Sequence, residues 1–492
     1  MKPLKIILFF ILIGLISCKE KNNDITITGK IIGSLPEKVE YTLPVNGTWF
    51  YGAKESVVPD SLGNFTISLK SNLASFVTIY IPKQASAVLL VEPGNAYEID
   101  FQLHSEKKKV NIKGASSEAL NLYNSFALPD FSVLSMSNEL LKDSVLTSIS
   151  SKINRLKEME LSQFLEQLEI QKISKDFYDL AVLDRTCYYS ALESAIASTK
   201  YNFQADNNEI QNAQITLLWK EMFEQTPMTD TFTIRSPWSF SLMQNYVQFN
   251  QYAVDSPDKY KKQKISEHSL NIDKAKKHLK GKLLEYYFAT YILSNSYTNR
   301  DSSKDLITLY EKFKKNYPNS NYTHYLLPTL QPIIDFQNKI AESTINKNVK
   351  LIENYDNINT FGELINTLRG KKVFVDIWGT WCAPCKREFA HKTDLTQLLK
   401  SKGIETLYIC EGRNSKEEVW MEMIKFYDLE GHHILANKNL VTNIIKRFER
   451  NGSFAYPRYL LIDEDGIVVN EEASYPSNIK ELEKEILEDF KW

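Results

Sequence analysis

Two cysteines, Cys382 and Cys385, are separated by two residues in the segment WCAPC at 381–385. Thiols at this spacing can switch between a dithiol and a disulfide, so the segment could carry out thiol–disulfide exchange. Half of a zinc site is the alternative, but no second CxxC or CxxH accompanies the pair. The pattern therefore predicts a redox site, and we expect neither a metal nor a cofactor.

The order of the two thiols in the chain indicates their roles. An apolar, strand-like run at 373–378 precedes the pair, and a helix-like stretch follows it at 386–389. Unpaired N–H groups and the dipole at a helix start lower a thiol pKa, which predicts an exposed Cys382 as the attacking nucleophile. Cys385 turns back toward the helix and becomes the resolving thiol. Pro384 suits the first helical turn, where a missing N–H costs little.

The residues around the pair alternate between strand and helix patterns from about residue 346 to 492. Helices are predicted at 361–368, 382–400, 415–427, 439–448 and 479–490, and strands at 373–378, 404–410, 458–463 and 467–469, with a short apolar piece at 434–435. This order is a βαβ unit followed by a ββα unit. It predicts an α/β domain with the dithiol at the end of its first long strand.

WCxPC after a VDIW strand, in this order of elements, resembles the thioredoxin fold, and the helix at 415–427 resembles the insertion of its TlpA/ResA-like branch. The resemblance implies that Asp376 is a buried acid serving the resolving thiol, and that Glu388 is a second acid of the site. It implies a cis-proline at Pro457, with Tyr456 and Trp381 beside the substrate chain. A solvated Glu388, a water-facing Asp376 and a trans Pro457 are the alternatives.

Peroxidase chemistry is a further alternative for the thiol at 382. Peroxiredoxins use a Thr/Ser-x-x-Cys pattern with a supporting arginine, and here glycine and tryptophan occupy unsuitable positions in the segment GTWC at 379–382. Of the remaining cysteines, Cys187 lies in a helical pattern and Cys410 ends a strand pattern, and both are predicted to be buried small apolar residues. A bridge between those two is possible, although no pattern in the sequence supports it.

The first residues form a targeting segment, with Lys2 and Lys5 before an apolar stretch at 6–16 that is too short to span a bilayer. The stretch ends in LISC, which resembles the lipobox of bacterial lipoproteins and implies cleavage before a lipidated Cys18. Simple secretion and an uncleaved anchor are the alternatives. Lys19 replaces the aspartate of inner-membrane retention, which favours the outer membrane. We therefore expect a lipid-anchored, periplasm-facing protein of the bacterial envelope.

The chain of 492 residues is too long for one core and reads as multidomain. We predict a signal peptide at 1–17, a tether at 18–24, an N-terminal β-sandwich at 25–113, a central α-helical region at 114–345 and a thioredoxin-like α/β domain at 346–492. The β-rich part resembles the domain that precedes thioredoxin domains in envelope lipoproteins. The helical region receives no function from its sequence.

Together these features predict an envelope-facing thiol–disulfide oxidoreductase, with the reductase direction implied by the resemblance. Its expected partners are protein disulfides, with apocytochrome c among the candidates, a membrane thiol relay as electron donor, and the membrane through the lipid anchor. The net charge of −2 gives no indication of nucleic-acid binding. The alternative is a surface or periplasmic binding lipoprotein in which the thioredoxin module regulates binding by its redox state.

Overall fold

The computed structural model describes residues 23–491, except 83, 104–108, 127–133, 144, 205–208, 227, 229–230, 252–265, 300, 302 and 451–453. The predicted signal peptide and Cys18 lie outside the described residues. The chain divides into two compact units. The N-terminal unit runs to Thr290 and includes Ser320–Tyr322, and the C-terminal unit comprises Tyr291–Asn319 and Thr323–Trp492. The C-terminal unit thus includes helices before residue 346, and the predicted division of the chain into domains stays a prediction.

The N-terminal unit begins with eight strands in two four-stranded sheets. They are β1 Asp24–Ile32, β2 Val39–Val45, β3 Thr48–Val57, β4 Asn64–Lys70, β5 Ser75–Ile81, β6 Ala85–Val91, β7 Ala96–Gln102 and β8 Lys109–Gly114. One sheet has the order β4-β1-β7-β8 and the other β3-β2-β5-β6. In β4, buried and exposed residues alternate strictly, as expected for a strand with one face on a core. This strand-rich start agrees with the prediction from the sequence.

Helices follow the strands and form the middle of the chain. They are α1 Ser117–Ser125, α2 Leu134–Leu140, α3 Leu146–Glu169, α4 Lys175–Gln204, α5 Glu209–Gln225, α6 Ser239–Phe249, α7 Glu267–His278, α8 Gly281–Leu293, α9 Lys304–Asn316 and α10 Thr323–Glu342. The predicted helical middle agrees with this series. No helix among the described residues is long and apolar enough to cross a membrane.

The rest of the C-terminal unit alternates strands and helices. Its elements are β9 Val349–Leu351, α11 Phe361–Asn366, β10 Lys372–Trp378, α12 Ala383–Glu388, α13 Lys392–Ser401, β11 Ile404–Glu411, α14 Glu417–Tyr427, β12 Gly431–Ala436, α15 Lys438–Phe448, β13 Arg458–Ile462, β14 Val468–Asn470 and α16 Ile479–Asp489. They build a six-stranded sheet of order β14-β13-β10-β11-β12-β9. Strand β10 runs parallel to β11 and antiparallel to β13, and its residues from 373 onward are buried, as expected in mid-sheet.

The helix predicted over 382–400 is wrong as one continuous element. A 3₁₀ turn at Phe389–His391 separates α12 from α13. The tighter turn accompanies the burial of Phe389, whose ring centroid lies 5.2 Å from that of Trp378 and 4.9 Å from that of Tyr427. The ring of Phe389 thus packs on the apolar sheet face beneath the dithiol. At this point the chain does not continue as one straight helix.

Candidate active site

Cys382 and Cys385 form a disulfide at the N-terminus of α12, with an Sγ–Sγ distance of 1.96 Å. Cys382 is the N-cap residue, and its Sγ accepts a hydrogen bond from the backbone N–H of Cys385 at 3.2 Å. Pro384 lies in the first turn, where no intrahelical donor is needed. The helix therefore directs one of its first N–H groups at the sulfur predicted to carry negative charge.

In this oxidised form, both cysteines are buried, which differs from the expected exposure of the nucleophile. Cys382 is 2% exposed and Cys385 is fully buried. Both belong to an apolar cluster, and the half-buried ring of Tyr456 packs against it. We call this set the dithiol cluster: Phe336, Ile340, Trp378, Cys382, Cys385, Phe389, Tyr408, Cys410, Trp420, Met423, Ile424 and Leu429. Access to the sulfur of Cys382 thus depends on the side chains around it.

The loop before β13 supplies one of these side chains. The bond between Tyr456 and Pro457 is cis, which is the form that the resemblance implies for this position. The Tyr456 ring meets that of Trp381 edge-on, with centroids 5.2 Å apart. Trp381 itself is 47% exposed. The structure thus brings together the three residues predicted to lie beside a substrate chain.

Asp376 lies in mid-strand on β10 and is 2% exposed, so it does not face water. Because side chains alternate along a strand, it shares a face with Trp378 of the dithiol cluster. Its neighbours in register are Tyr408 on β11 and Tyr459 on β13. Its Oδ1 has no hydrogen-bond partner among the described residues. Burial, with a smaller contribution from the charge of Glu388, raises the pKa of Asp376 well above its ordinary value.

Glu388 is the last residue of α12, and it is neither buried nor free in solvent. Its carboxylate accepts hydrogen bonds from the backbone N–H of Ser477 at 2.9 Å and from the Ser477 hydroxyl at 3.2 Å. Its charge acts on both Asp376 and Tyr459. The structure therefore fixes Glu388 close enough to the buried acid to influence its protonation.

The two other described cysteines are free and buried, as predicted for each. Burial raises the pKa of Cys410 to about 12, and the pKa of Cys187 is raised for the same reason. A thiol with such a pKa is a poor nucleophile at neutral pH. No group of three or more His, Cys, Asp or Glu side chains in the described part of the chain is arranged to hold a metal ion.

One residue of the site, Glu411, was not predicted from the sequence. Glu411 ends β11, and its buried carboxylate accepts a hydrogen bond from Trp381 Nε1 at 3.2 Å. Two further bonds connect the same loops, because Ser415 Oγ lies 3.2 Å from Thr380 N and 3.0 Å from Thr380 Oγ1. The sequence signal that could have found Glu411 is its place at the carboxyl end of a strand parallel to β10, the edge at which the dithiol loop emerges.

Comparison with known proteins identifies residues 348–486 as a match to the Redoxin family. The thiol-disulfide oxidoreductase ResA of Bacillus thuringiensis is 32% identical over 107 residues, covering 22% of this chain and 57% of that protein. ResA of Bacillus subtilis is 40% identical over 50 residues, covering 10% of this chain and 28% of that protein. The chain therefore spans about half or less of the length of these curated relatives.

Among solved structures, the thioredoxin domain of a thiol-disulfide oxidoreductase from Bacteroides vulgatus is 23% identical, covering 25% of this chain and 81% of that chain with a TM-score of 0.22. The family match falls on the C-terminal part of this chain. Residues 348–486 thus match the Redoxin family and the chain is similar to ResA thiol-disulfide oxidoreductases, in agreement with the predicted resemblance to TlpA/ResA-like thioredoxin-fold proteins.

Proposed function

We propose that the whole chain is an envelope-facing, lipid-anchored thiol–disulfide oxidoreductase that reduces disulfides of exported proteins through Cys382 and Cys385. The observation that carries this proposal is the Cys382–Cys385 disulfide at a helix start, beside the cis Tyr456–Pro457 bond. Asp376, a buried acid with a raised pKa, lies on the sheet face of the same cluster. These parts supply a nucleophile, a resolving thiol and a proton acceptor.

The exchange would proceed in two displacements. In the reduced protein, the Cys382 thiolate attacks one sulfur of a substrate disulfide, and the substrate's S–S bond breaks to release a thiolate that takes up a proton. The Cys385 thiol then transfers its proton to the Asp376 carboxylate and attacks Cys382 Sγ in the mixed disulfide. The second substrate thiolate leaves and takes the proton from Asp376, whereas the first took its proton from water. Two electrons have moved from the protein to the substrate, the Asp376 carboxylate is restored, and the Cys382–Cys385 disulfide has formed.

The raised pKa of Asp376 suits the second displacement. A general base works best when its pKa lies near the working pH, and burial shifts a carboxyl in that direction. Glu388 adds to this shift through its charge, and its bonds to Ser477 hold it in place. The proposal therefore assigns Asp376 to the proton transfer and Glu388 to the tuning of that acid.

The location and the partners rest on the sequence. The lipobox-like LISC segment supports lipidation at Cys18, and Lys19 supports the outer membrane. The ResA similarity of the C-terminal domain supports a reductase acting on exported proteins, with apocytochrome c as the first candidate to test. A membrane thiol relay would return electrons to the Cys382–Cys385 disulfide after each turnover.

Trapping of mixed disulfides tests the activity. In the full chain, Cys385→Ser leaves Cys382 able to attack but removes the resolving thiol, so covalent complexes with substrate proteins should accumulate in cells and disappear on reduction. Cys382→Ser should trap none, and Cys187→Ser, which changes a buried thiol elsewhere, should leave insulin reduction unchanged. An unmodified chain that fails to reduce insulin, together with a Cys385→Ser chain that traps nothing, would exclude the proposed function.

Lipidation has a separate test. Mass spectrometry of the mature N-terminus should find a diacylated Cys18, and Cys18→Ser should move the protein from the membrane to the soluble fraction. The outer-membrane assignment predicts that the lipidated protein fractionates with outer-membrane markers. An intact N-terminus that starts at Met1 would contradict the lipoprotein assignment but leave the exchange activity untouched.

A further inference from the structure

A buried carboxylate that the exchange mechanism does not use lies beside the dithiol. Glu411 is 2% exposed and accepts hydrogen bonds with both oxygens. Oε1 accepts from Arg413 N at 3.0 Å and from Arg413 Nε at 2.7 Å. Oε2 accepts from Trp381 Nε1 at 3.2 Å, from Asn414 N at 3.2 Å and from Asn414 Nδ2 at 3.3 Å. Five donors therefore converge on one side chain, which fixes its position.

These donors belong to two loops, the dithiol loop and the loop that follows β11. Trp381 directly precedes the nucleophile, and its indole folds back so closely that a Cβ on Gly379 would lie 2.8 Å from its Nε1. Arg413 acts on the other side, because its charge influences the hydroxyl of Tyr456, the residue before the cis-proline. Trp381 and Tyr456 meet edge-on. Glu411 thus connects the dithiol loop to the cis-proline loop through one carboxylate.

The electrostatics agree with this connection. The hydrogen bond to Glu411 is the main cause that raises the pKa of Arg413, so the guanidinium stays charged and the pair stays formed. Burial, reinforced by the charge of Glu411, raises the pKa of Tyr456 to about 12, so its hydroxyl keeps its proton. Charge-assisted bonds of this kind are stronger and more directional than neutral ones.

We infer that Glu411 is a positioning residue, which holds the rings of Trp381 and Tyr456 as two lips over Cys382 and so sets the access of polypeptide disulfides. The inference rests on the proposed function, since it concerns access to the same dithiol. Closed lips account for the 2% exposure of Cys382 beside a half-exposed Trp381. Fixed lips also offer a substrate chain a preformed aromatic surface, which avoids the entropic cost of ordering those side chains on binding.

Glu411→Gln is the central test, because glutamine keeps the size of the side chain but offers one acceptor oxygen to the five donors. If the rings of Trp381 and Tyr456 are held less firmly, they should bind a polypeptide less well and shield the Cys382 sulfur less well. We expect KM for insulin to rise about 10-fold with kcat changed less than about 2-fold, as follows from losing one charge-assisted hydrogen bond. Reduction of the Cys382–Cys385 disulfide by a small water-soluble phosphine should instead become about 5–10-fold faster, on the same energy scale.

The opposite signs of these two effects separate positioning from general damage. If neither the KM for insulin nor the rate of phosphine reduction changes, or if the reactions with insulin and with the phosphine both become slower, Glu411 does not position the lips. Glu405→Gln is the matched control, since Glu405 lies on the same strand but bonds Lys371 and His432, and it should change neither rate. If Glu411→Gln does not fold, Arg413→Lys replaces it: lysine keeps the charge but lacks the guanidinium Nε that donates to Glu411, and it should produce the same pair of changes.

A chain that never reduces insulin would overturn the proposed function and would be recognised from the unsubstituted protein. The phosphine rate would still test the lips in that case, because this reaction requires only the disulfide. Unchanged phosphine reduction in Glu411→Gln would then overturn the positioning role independently.

Discussion

Two buried acids, one in each unit, have opposite surroundings. Asp184 on α4 accepts hydrogen bonds from the hydroxyls of Tyr123 at 2.7 Å and Ser236 at 2.8 Å, and Arg185 Nη1 lies 3.6 Å from its Oδ2. Arg185 is itself fully buried, and its Nε lies 2.7 Å from Glu160 Oε2 in an ion-pair contact without the angle of a hydrogen bond. This acid has a cation and two donors.

Among the described residues, Asp376 has neither a neighbouring cation nor hydroxyl donors of this kind. The charge that acts on it, from Glu388, has its own sign, and its Oδ1 has no hydrogen-bond partner in the described part of the chain. Burial raises the pKa of both acids, but Arg185 and the two hydroxyls oppose the shift of Asp184, whereas Glu388 adds to the shift of Asp376. The difference separates two kinds of buried carboxyl. One that has a neighbouring cation and hydrogen-bond donors is structural, whereas one that lacks them and lies beside a dithiol is available for proton transfer.

The largest predicted effect comes from breaking the compensated cluster. Arg185→Met leaves the buried Asp184 and the partly buried Glu160 without their cation, which should cost about 3–5 kcal/mol in the free energy of unfolding. Urea unfolding of the full chain, followed on the transition of the N-terminal unit, measures this loss. The reduction potential of the dithiol should not change. A loss below about 1 kcal/mol would mean that the cluster is not held by its charges.

Asp376→Asn tests the uncompensated acid. Removal of the proton acceptor should slow the second displacement about 100-fold at neutral pH, a typical contribution of general acid–base catalysis. Stopped-flow kinetics of mixed-disulfide resolution give the rate. Asp184→Asn is the matched control, since it should lower stability and leave this rate unchanged. Equal resolution rates in the Asp376→Asn and unsubstituted proteins would remove Asp376 from the mechanism.

The pKa of Asp376 also predicts how stability depends on pH. Because its folded pKa is raised, the folded state holds a proton that the unfolded state releases near pH 4, so its contribution to stability is full below that pH. The C-terminal unit should therefore lose up to about 1.4 kcal/mol per pH unit as pH rises from about 4 toward the folded pKa. Asp376→Asn should flatten this part of the profile in urea titrations at successive pH values. An unchanged slope would show that another group causes it.

A tyrosine-to-phenylalanine substitution in each unit gives the smallest predicted effects on stability. Tyr123→Phe removes a hydrogen bond to a buried carboxyl and should cost about 1–2 kcal/mol of stability. Tyr459 faces Asp376 in register, but its hydroxyl has no partner among the described residues, so Tyr459→Phe should change stability by less than about 0.5 kcal/mol. Thermal unfolding compares the two. Equal losses would contradict the difference between the two surroundings.

Local patterns predicted the dithiol and the strand before it, because each depends on residues that are neighbours in the chain. The cis-proline position was implied by the family resemblance. The family resemblance implied a buried position for Asp376, and the side chain is 2% exposed in the structure. Helix bounds were less predictable. The break at residues 389–391 depends on Phe389 packing on Trp378 and Tyr427, and the latter is far along the chain.

Other features require the register of the sheet. Glu411 is 30 residues from Trp381, and only the parallel pairing of β10 with β11 brings them together. Phe336 and Ile340 of α10 lie before the predicted domain boundary, yet they belong to the dithiol cluster. Three-dimensional packing, which periodicity does not encode, assigns them there. The short strand β9 was missed because three residues carry too little alternation to be recognised.

The redox equilibrium of the Cys382–Cys385 pair tests the central claim most directly. The full chain is equilibrated in thiol–disulfide buffers of defined potential, and free thiols are counted by mass after alkylation. If the protein is a reductase, we expect one two-electron transition. The ratio of dithiol to disulfide should change tenfold per about 30 mV, and the midpoint potential should lie below about −200 mV. Cys187 and Cys410 should not take part. A midpoint near about −120 mV, typical of an oxidant, or the absence of a transition would contradict the account.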